Sequence, residues 1–136
     1  MAWLGRRQPE IYGTTTADEL NEMLRDHASM HKYQLDIFYT HVEGEAIARV
    51  FQGVEEGIDG LVMNPAGFTY RGEALRDCIL DCGGLPYIEV HISNIEKRGI
   101  KSVLANSAQG MVMGFGLQSY FLALEAMLNL LQKRNE

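Results

Sequence analysis

The chain has 136 residues, of which 46% are hydrophobic and 22% are charged, and its formal net charge is −6. This length accommodates one domain with a sizeable core, so we predict a single domain over residues 1–136. The negative charge disfavours nucleic acid as a partner, because no basic face could neutralise the phosphates. No apolar run is long enough to cross a membrane, and no signal peptide is recognisable. We therefore expect a soluble, cytoplasmic protein without a membrane partner.

Helical and strand patterns alternate along the chain, which is typical of an α/β protein with a parallel sheet. Thr16 and Glu19 fit a capping box at the start of the first predicted helix. The later elements follow from periodicity: strand 35–39, a helix carrying Ala46, Ile47, Val50, Phe51 and Val54, strand 60–63, helix 73–82, strand 87–92, strand 111–113, and a helix from Gln118 to about Lys133.

The start of the chain differs from the usual doubly wound pattern, in which an opening strand becomes central in the sheet. Only residues 1–3 precede Leu4, which is too short for a strand. We expect either a four-stranded sheet that lacks the first strand or a shortened reading frame.

The two cysteines, Cys78 and Cys82, lie four positions apart on a predicted helix. A bridge between them is difficult in helical geometry, and two thiols alone do not make a zinc site. We interpret them as small apolar residues of a reducing compartment, and we predict no metal site.

A histidine and a glutamate alternate on one side of the predicted strand 87–92. Side chains alternate along a strand, so Glu89, His91 and Ser93 share one side. A carboxylate two positions from a histidine can orient the ring and favour its protonated form, as a general acid requires. Asn64 follows the preceding strand, and the carboxyl ends of parallel strands form the usual ligand site. The other three histidines lack such a setting, and we interpret them as structural residues.

Near the start of the chain, Arg7 and Tyr12 are joined by a turn that contains Pro9. Tyrosine is a weak base at neutral pH, since its unperturbed pKa is about 10. A neighbouring guanidinium can lower that pKa by about 1–3 units. The pair could therefore supply a base.

Five ordered motifs together resemble the type II 3-dehydroquinate dehydratases: L-G-x-R-x-P-x-I-Y-G, N-P-x-x-x-T, A-L-R-D, E-V-H-I-S-N and G-F-G-L-Q-S-Y. The resemblance covers nearly the whole chain. It implies a flavodoxin-like three-layer sandwich with its first strand absent. It also implies trans elimination of water from 3-dehydroquinate to 3-dehydroshikimate through an enolate, without metal or cofactor, in a homo-oligomer of trimers assembled into a dodecamer.

The resemblance also implies a role for each matching residue. Tyr12 would remove the C2 proton with its pKa lowered by Arg7, and His91, oriented by Glu89, would protonate the departing C1 hydroxyl. Asn64 and the backbone amides of Ile92 and Ser93 would bind the substrate carboxylate. Tyr70 stands in place of a substrate-contacting histidine of the family, and Arg98 in place of the first of two arginines. Asp77 would reach the site of a neighbouring subunit.

Some family features have no counterpart, which keeps alternatives open. The Gly-Pro-Asn-Leu loop after the family's opening strand is absent, and a second arginine falls where this chain is shorter. Loss of a donor to developing negative charge typically costs about 10²–10³ in rate. A second hypothesis is therefore an impaired or inactive homologue that binds a related ligand or partner. A third, a flavin binder with its phosphate at Thr14–Thr16, depends on fold analogy alone.

Overall fold

The computed structural model describes residues 14–135, in which helices alternate with parallel strands. The α-helices of this part are α1 (Ala17–His31), α2 (Glu43–Glu56), α3 (Phe68–Arg71), α4 (Glu73–Asp81) and α5 (Gln118–Arg134). Its strands are β1 (Leu61–Met63), β2 (Tyr87–His91) and β3 (Gly110–Met113), and two short 3₁₀ helices, Ile95–Arg98 and Ala105–Ser107, precede β3. The predicted α/β class is confirmed.

The three strands form one parallel sheet with β2 in the centre. Met63 of β1 is aligned with Glu89 of β2, and His91 of β2 is aligned with Met113 of β3. The strands therefore end at one edge of the sheet, and the segments that follow them leave the sheet side by side. This edge carries the site described below.

Helices cover both faces of the sheet, which gives three layers. Tyr87 packs with residues of α2 and α4 in one cluster. The alternate residues of β2, Ile88 and Val90, pack on the other face against α5, and Ile92 packs there against α1 and α5. The predicted alternation along this strand is confirmed, since even-numbered and odd-numbered residues contact different helices.

The helix boundaries follow from local capping chemistry. The Thr16 hydroxyl accepts a hydrogen bond from the Glu19 N–H at 3.2 Å, and it donates to the Glu19 carboxylate at 3.0 Å. The predicted N-cap is thereby confirmed, with the glutamate reaching back to the hydroxyl. At the end of α2, Gly57 takes φ +88°, a conformation that glycine adopts at little cost. Within residues 14–135, no helix is long and apolar enough to span a bilayer.

The prediction of a strand over residues 35–39 is wrong. This segment connects α1 to α2 without regular secondary structure, so the described residues contain three strands and not four. A strand requires a hydrogen-bonded neighbour, and among the described residues β1 pairs only with β2. Leu35 and Ile37 pack instead against the cluster of Leu20 and Leu24. The alternating apolar residues of this segment are thus explained by burial of one side, without strand hydrogen bonds.

The cysteine pair lies on the inner side of α4 and at its end. Cys78 is buried, Cys82 is partly buried, and both are free thiols. Burial, together with the neighbouring Cys82, raises the pKa of Cys78 to about 11. Cys78 therefore behaves as the small apolar core residue that we predicted.

Candidate active site

Three side chains on one face of β2 form a buried chain of hydrogen bonds. The Tyr87 hydroxyl donates to Glu89 Oε1 at 3.0 Å, and Glu89 Oε2 lies 2.7 Å from His91 Nε2. Glu89 is fully buried, and His91 is 5% exposed. The predicted contact between Glu89 and His91 is present, and it lies at the carboxyl edge of the central strand.

The contact fixes which ring nitrogen of His91 is available for chemistry. Glu89 occupies Nε2, so the ring presents Nδ1 to the opposite side. Within residues 14–135, Nδ1 has no hydrogen-bond partner. Glu89 therefore orients the ring, and Nδ1 is the nitrogen that could exchange a proton with a ligand.

Tyr87 is a residue of this site that the sequence analysis missed. Its hydroxyl supplies the second donor to Glu89, and a buried carboxylate needs such donors to compensate for lost hydration. Burial raises the pKa of Tyr87 well above its ordinary value, and the Glu89 charge raises it further, so the phenol keeps its proton. The signal was present in the sequence, since strand alternation places Tyr87 on the same face as Glu89.

Asn64 follows β1 directly and therefore lies beside the carboxyl end of β2, as predicted. Its side-chain oxygen accepts from the Ala66 N–H at 3.0 Å, and its Nδ2 donates to the Tyr120 hydroxyl at 2.9 Å. Tyr120 lies on α5. Burial raises the pKa of Tyr120, so this hydroxyl remains protonated while it accepts from Asn64. The amide is held at both ends, in an orientation fixed before any ligand binds.

The segment after β2 turns along the same edge. The carbonyls of His91 and Ile92 accept hydrogen bonds from the N–H groups of Gly114 and Gly116, at 3.2 and 3.0 Å. Gly114 has φ +94°, and a Cβ there would lie 3.3 Å from that of Asn94. A side chain at Gly114 would thus be strained and crowded. The β2 and β3 ends are consequently fastened together around His91.

Ser93 and Arg98 form a second contact between predicted site residues. Arg98 Nη1 donates to Ser93 Oγ at 3.0 Å, across the first 3₁₀ helix. Arg98 is exposed, and Ser93 is partly buried. The guanidinium therefore lies next to the end of β2, where it adds positive charge to an edge that also carries His91.

Two predicted contacts lie apart from this group. Tyr70, on α3, is 57% exposed, and among the described residues its side chain makes no hydrogen bond. Asp77, on α4, is also exposed and pairs with Arg76 at 3.2 Å. The structure brings neither residue to His91 within one chain. Arg7 and Tyr12 lie outside the described residues, so the predicted base and its guanidinium partner remain predictions.

Comparison with solved structures shows which class of protein shares this fold. Solved structures with the same flavodoxin-like α/β fold include a type II dehydroquinase from Butyrivibrio crossotus (TM-score 0.89, 30% identity, 93% of this chain and 90% of that one). Another is a type II dehydroquinase from Propionibacterium acnes (TM-score 0.86, 32% identity, 96% and 89%).

Sequence comparison identifies the family within that class. Residues 1–128 match the family described as dehydroquinase class II. A protein named 3-dehydroquinate dehydratase from Thioalkalivibrio sulfidiphilus is 41% identical over 96% of this chain and 90% of its own length. A protein of the same name from Halothermothrix orenii is 41% identical over 96% and 88%. The chain belongs to the class II dehydroquinase family.

Proposed function

We propose that this protein is a 3-dehydroquinate dehydratase, a hydro-lyase that eliminates water from 3-dehydroquinate to form 3-dehydroshikimate. The observation that carries the proposal is the buried contact between Glu89 and His91 at the carboxyl edge of β2. Family membership and the names of the relatives support the same reaction.

The proposed reaction begins with removal of a proton from carbon. Tyr12, as phenolate, takes the C2 proton, and the C–H electron pair moves toward the neighbouring carbonyl to form an enolate. Arg7 favours the phenolate through its positive charge. Both assignments come from the sequence resemblance.

The second step expels the C1 hydroxyl. The enolate electrons return, the C1–O bond breaks, and His91 donates the proton that converts the leaving hydroxide into water. The 2.7 Å contact with Glu89 orients the ring for that transfer, and the Tyr87 hydroxyl donates to the other oxygen of the same carboxylate. The leaving group thus departs as a neutral molecule.

The substrate carboxylate would bind at the adjoining ends of β1 and β2. Asn64 is held there by Tyr120, and the backbone N–H groups of Ile92 and Ser93 follow His91 directly. Arg98 adds a positive charge beside Ser93. These donors suit an anion, since hydrogen bonds to a charged acceptor are the stronger ones.

We further propose that the active assembly is a homo-oligomer based on trimers and extending to a dodecamer. Asp77 is exposed and pairs with Arg76 outside the hydrogen-bonded group around His91, as expected for a residue that completes a neighbouring subunit's site. Light scattering at several protein concentrations would give the assembly mass. A cytoplasmic location also remains a prediction, supported by the two free cysteines.

A second candidate function is binding without catalysis. Tyr70 stands where the family has a histidine, and its ring is largely exposed. A homologue with this substitution would keep the carboxylate contacts at Asn64 and Ser93 while positioning the ring of 3-dehydroquinate poorly.

The experiment that separates these functions combines calorimetry with ultraviolet detection of the enone product. The dehydratase proposal requires steady turnover of 3-dehydroquinate by the full chain, unchanged by a chelator and greatly reduced in Tyr12→Phe. Heat of binding without product would support the non-catalytic candidate. Neither binding nor turnover by a folded, assembled protein would contradict both.

A further inference from the structure

Two histidines and a glutamate outside the β2 edge face one another across two helices. His27 and His31 lie one turn apart on α1, and Glu125 lies on α5. One side-chain ligand atom from each residue lies within 4.8 Å of the other two. Around one zinc ion, ligand atoms lie within about 4.2 Å of each other, since each bond is about 2.0–2.2 Å. Small rotations of these three side chains would therefore bring their ligand atoms to the distances that one bound ion requires.

The state of His27 is a second, independent observation. Its side chain is only 10% exposed, and within residues 14–135 its buried Nε2 has no hydrogen-bond partner. Glu125 Oε1 lies 3.5 Å from Nε2 but makes no hydrogen bond with it. Buried polar atoms without a partner are uncommon, and an unseen ion is one of their ordinary explanations.

Tyr33 holds the opposite side of the same ring. Its hydroxyl lies 2.8 Å from His27 Nδ1. When Nδ1–H donates to this oxygen, Nε2 carries the lone pair and points toward Glu125. Metal-binding histidines are commonly oriented in this way, by a hydrogen bond at the nitrogen that does not bind the metal.

We propose that His27, His31 and Glu125 form a site for a first-row divalent transition metal of the zinc class. Two imidazoles and one carboxylate suit Zn²⁺, Co²⁺, Ni²⁺ or Cu²⁺, whereas Mg²⁺ and Ca²⁺ prefer oxygen ligands. His31 and Glu125 are exposed, so the ion can enter from solvent and keep water as a further ligand.

The position of the site assigns it a structural role apart from the dehydration chemistry. The His27 ring contacts the rings of Tyr33 and Phe121, which pack in the cluster around Ile92. That cluster lies on the face of the sheet opposite to Tyr87 and Glu89. A bound ion would join α1 to α5 by bonds that exist only in the folded chain, and so would stabilise the fold.

The test uses metal alone with the full-length protein. Titration with Co²⁺ should give one binding event per chain, with visible d–d absorption bands of a nitrogen- and oxygen-ligated ion, and Zn²⁺ should displace it. Zn²⁺ should also raise the melting temperature. His31→Ala and Glu125→Gln, both at exposed positions, should each weaken Co²⁺ binding at least tenfold, and Tyr33→Phe should weaken it about 10–100-fold.

The matched control is His41→Ala, which removes an exposed histidine that does not belong to this cluster. It should leave Co²⁺ affinity, the visible bands and the zinc-dependent melting temperature unchanged. Absence of stoichiometric binding by the wild-type chain would overturn the proposal. So would binding that survives both His31→Ala and Glu125→Gln, or that is lost in His41→Ala.

Discussion

At the scale of single residues, the main energetic problem is a fully buried carboxylate. Moving an ion out of water costs several kcal/mol unless partners compensate, and removal of one partner of a buried pair typically destabilises by about 3–5 kcal/mol. Glu89 has two partners, the Tyr87 hydroxyl and the His91 ring, one at each oxygen. Tyr87 is therefore a positioning residue, which acts on the reaction through Glu89 and His91.

Tyr87→Phe should show this role, because it removes one donor and leaves the ring volume in place. The free energy of unfolding should fall by about 1–3 kcal/mol, as expected for a buried acceptor left unsatisfied. The kcat should also fall while the KM for 3-dehydroquinate stays nearly unchanged, because Glu89 then holds the His91 ring less firmly. Urea denaturation and initial rates at several substrate concentrations would measure both effects.

Tyr39→Phe is the control for this substitution, because it also removes a tyrosine hydrogen bond, to Asn21 at 2.6 Å, but one outside the chain of Tyr87, Glu89 and His91. It should leave kcat in place. An unchanged kcat in Tyr87→Phe, together with a lower stability, would mean that Tyr87 has a structural role only.

Much of this site was predictable from spacing along one strand. Alternation places Tyr87, Glu89 and His91 on one face, and the two residues with obvious chemistry were identified. The partnership of Asn64 with Tyr120 was not predictable, because 56 positions separate them and only the packing of α5 on the sheet brings them together. The same holds for His27 and Glu125, which lie on the first and last described helices.

At the scale of elements, the junction between α3 and α4 is a turn with no room for a side chain. Gly72 ends α3 and precedes α4, and its carbonyl accepts from the Arg76 N–H at 2.8 Å. A Cβ at Gly72 would lie 2.5 Å from the Phe68 carbonyl oxygen and 2.9 Å from Leu104 Cδ1. The carbonyl belongs to the backbone, so it cannot move aside cheaply.

Gly72→Ala should therefore destabilise the protein by about 1–3 kcal/mol, the usual range for an overpacked position. Gly67→Ala, at the start of α3, is the matched control: its φ of −62° suits alanine, and a Cβ there meets nothing within 4 Å. This change should be neutral or stabilising by about 0.4–1 kcal/mol. Urea denaturation of the two variants compares them, and equal effects would contradict the steric account.

The elements themselves were largely predictable, because helices and buried strands carry strong periodic signals. Each predicted element from residue 60 onward is present, with ends displaced by a residue or so. The segment 35–39 shows the limit of such signals. Alternating apolar residues mark one buried side, but strand formation depends on a neighbour that the local sequence does not specify.

At the scale of the whole molecule, several weak acids are buried in their neutral forms. Burial raises the pKa values of Tyr87 and Tyr120, and burial together with Cys82 raises the pKa of Cys78 to about 11. In the unfolded chain these groups lose their protons at lower pH than in the folded protein. Unfolding then releases protons, so rising pH favours the unfolded state.

The free energy of unfolding should therefore fall as the pH rises from about 9 to about 11, the window set by Cys78, and fall further as the tyrosines begin to ionise. Urea denaturation at fixed pH values in this range measures the slope. Cys78→Ala should reduce the slope between pH 9 and 11, whereas Tyr39→Phe should change it less. A slope that Cys78→Ala leaves unchanged would contradict the assignment of this window to Cys78.

The role of His91 is tested most directly by the initial rate of enone formation from 3-dehydroquinate by wild-type protein and His91→Gln. Glutamine keeps a polar side chain at the end of β2 but cannot deliver a proton as an acid. General acid catalysis typically contributes about 10²–10⁴ in rate. His91→Gln should therefore have a kcat lower by that factor, with calorimetric affinity for 3-dehydroquinate nearly unchanged. A folded His91→Gln variant with wild-type kcat would rule out His91 as the general acid.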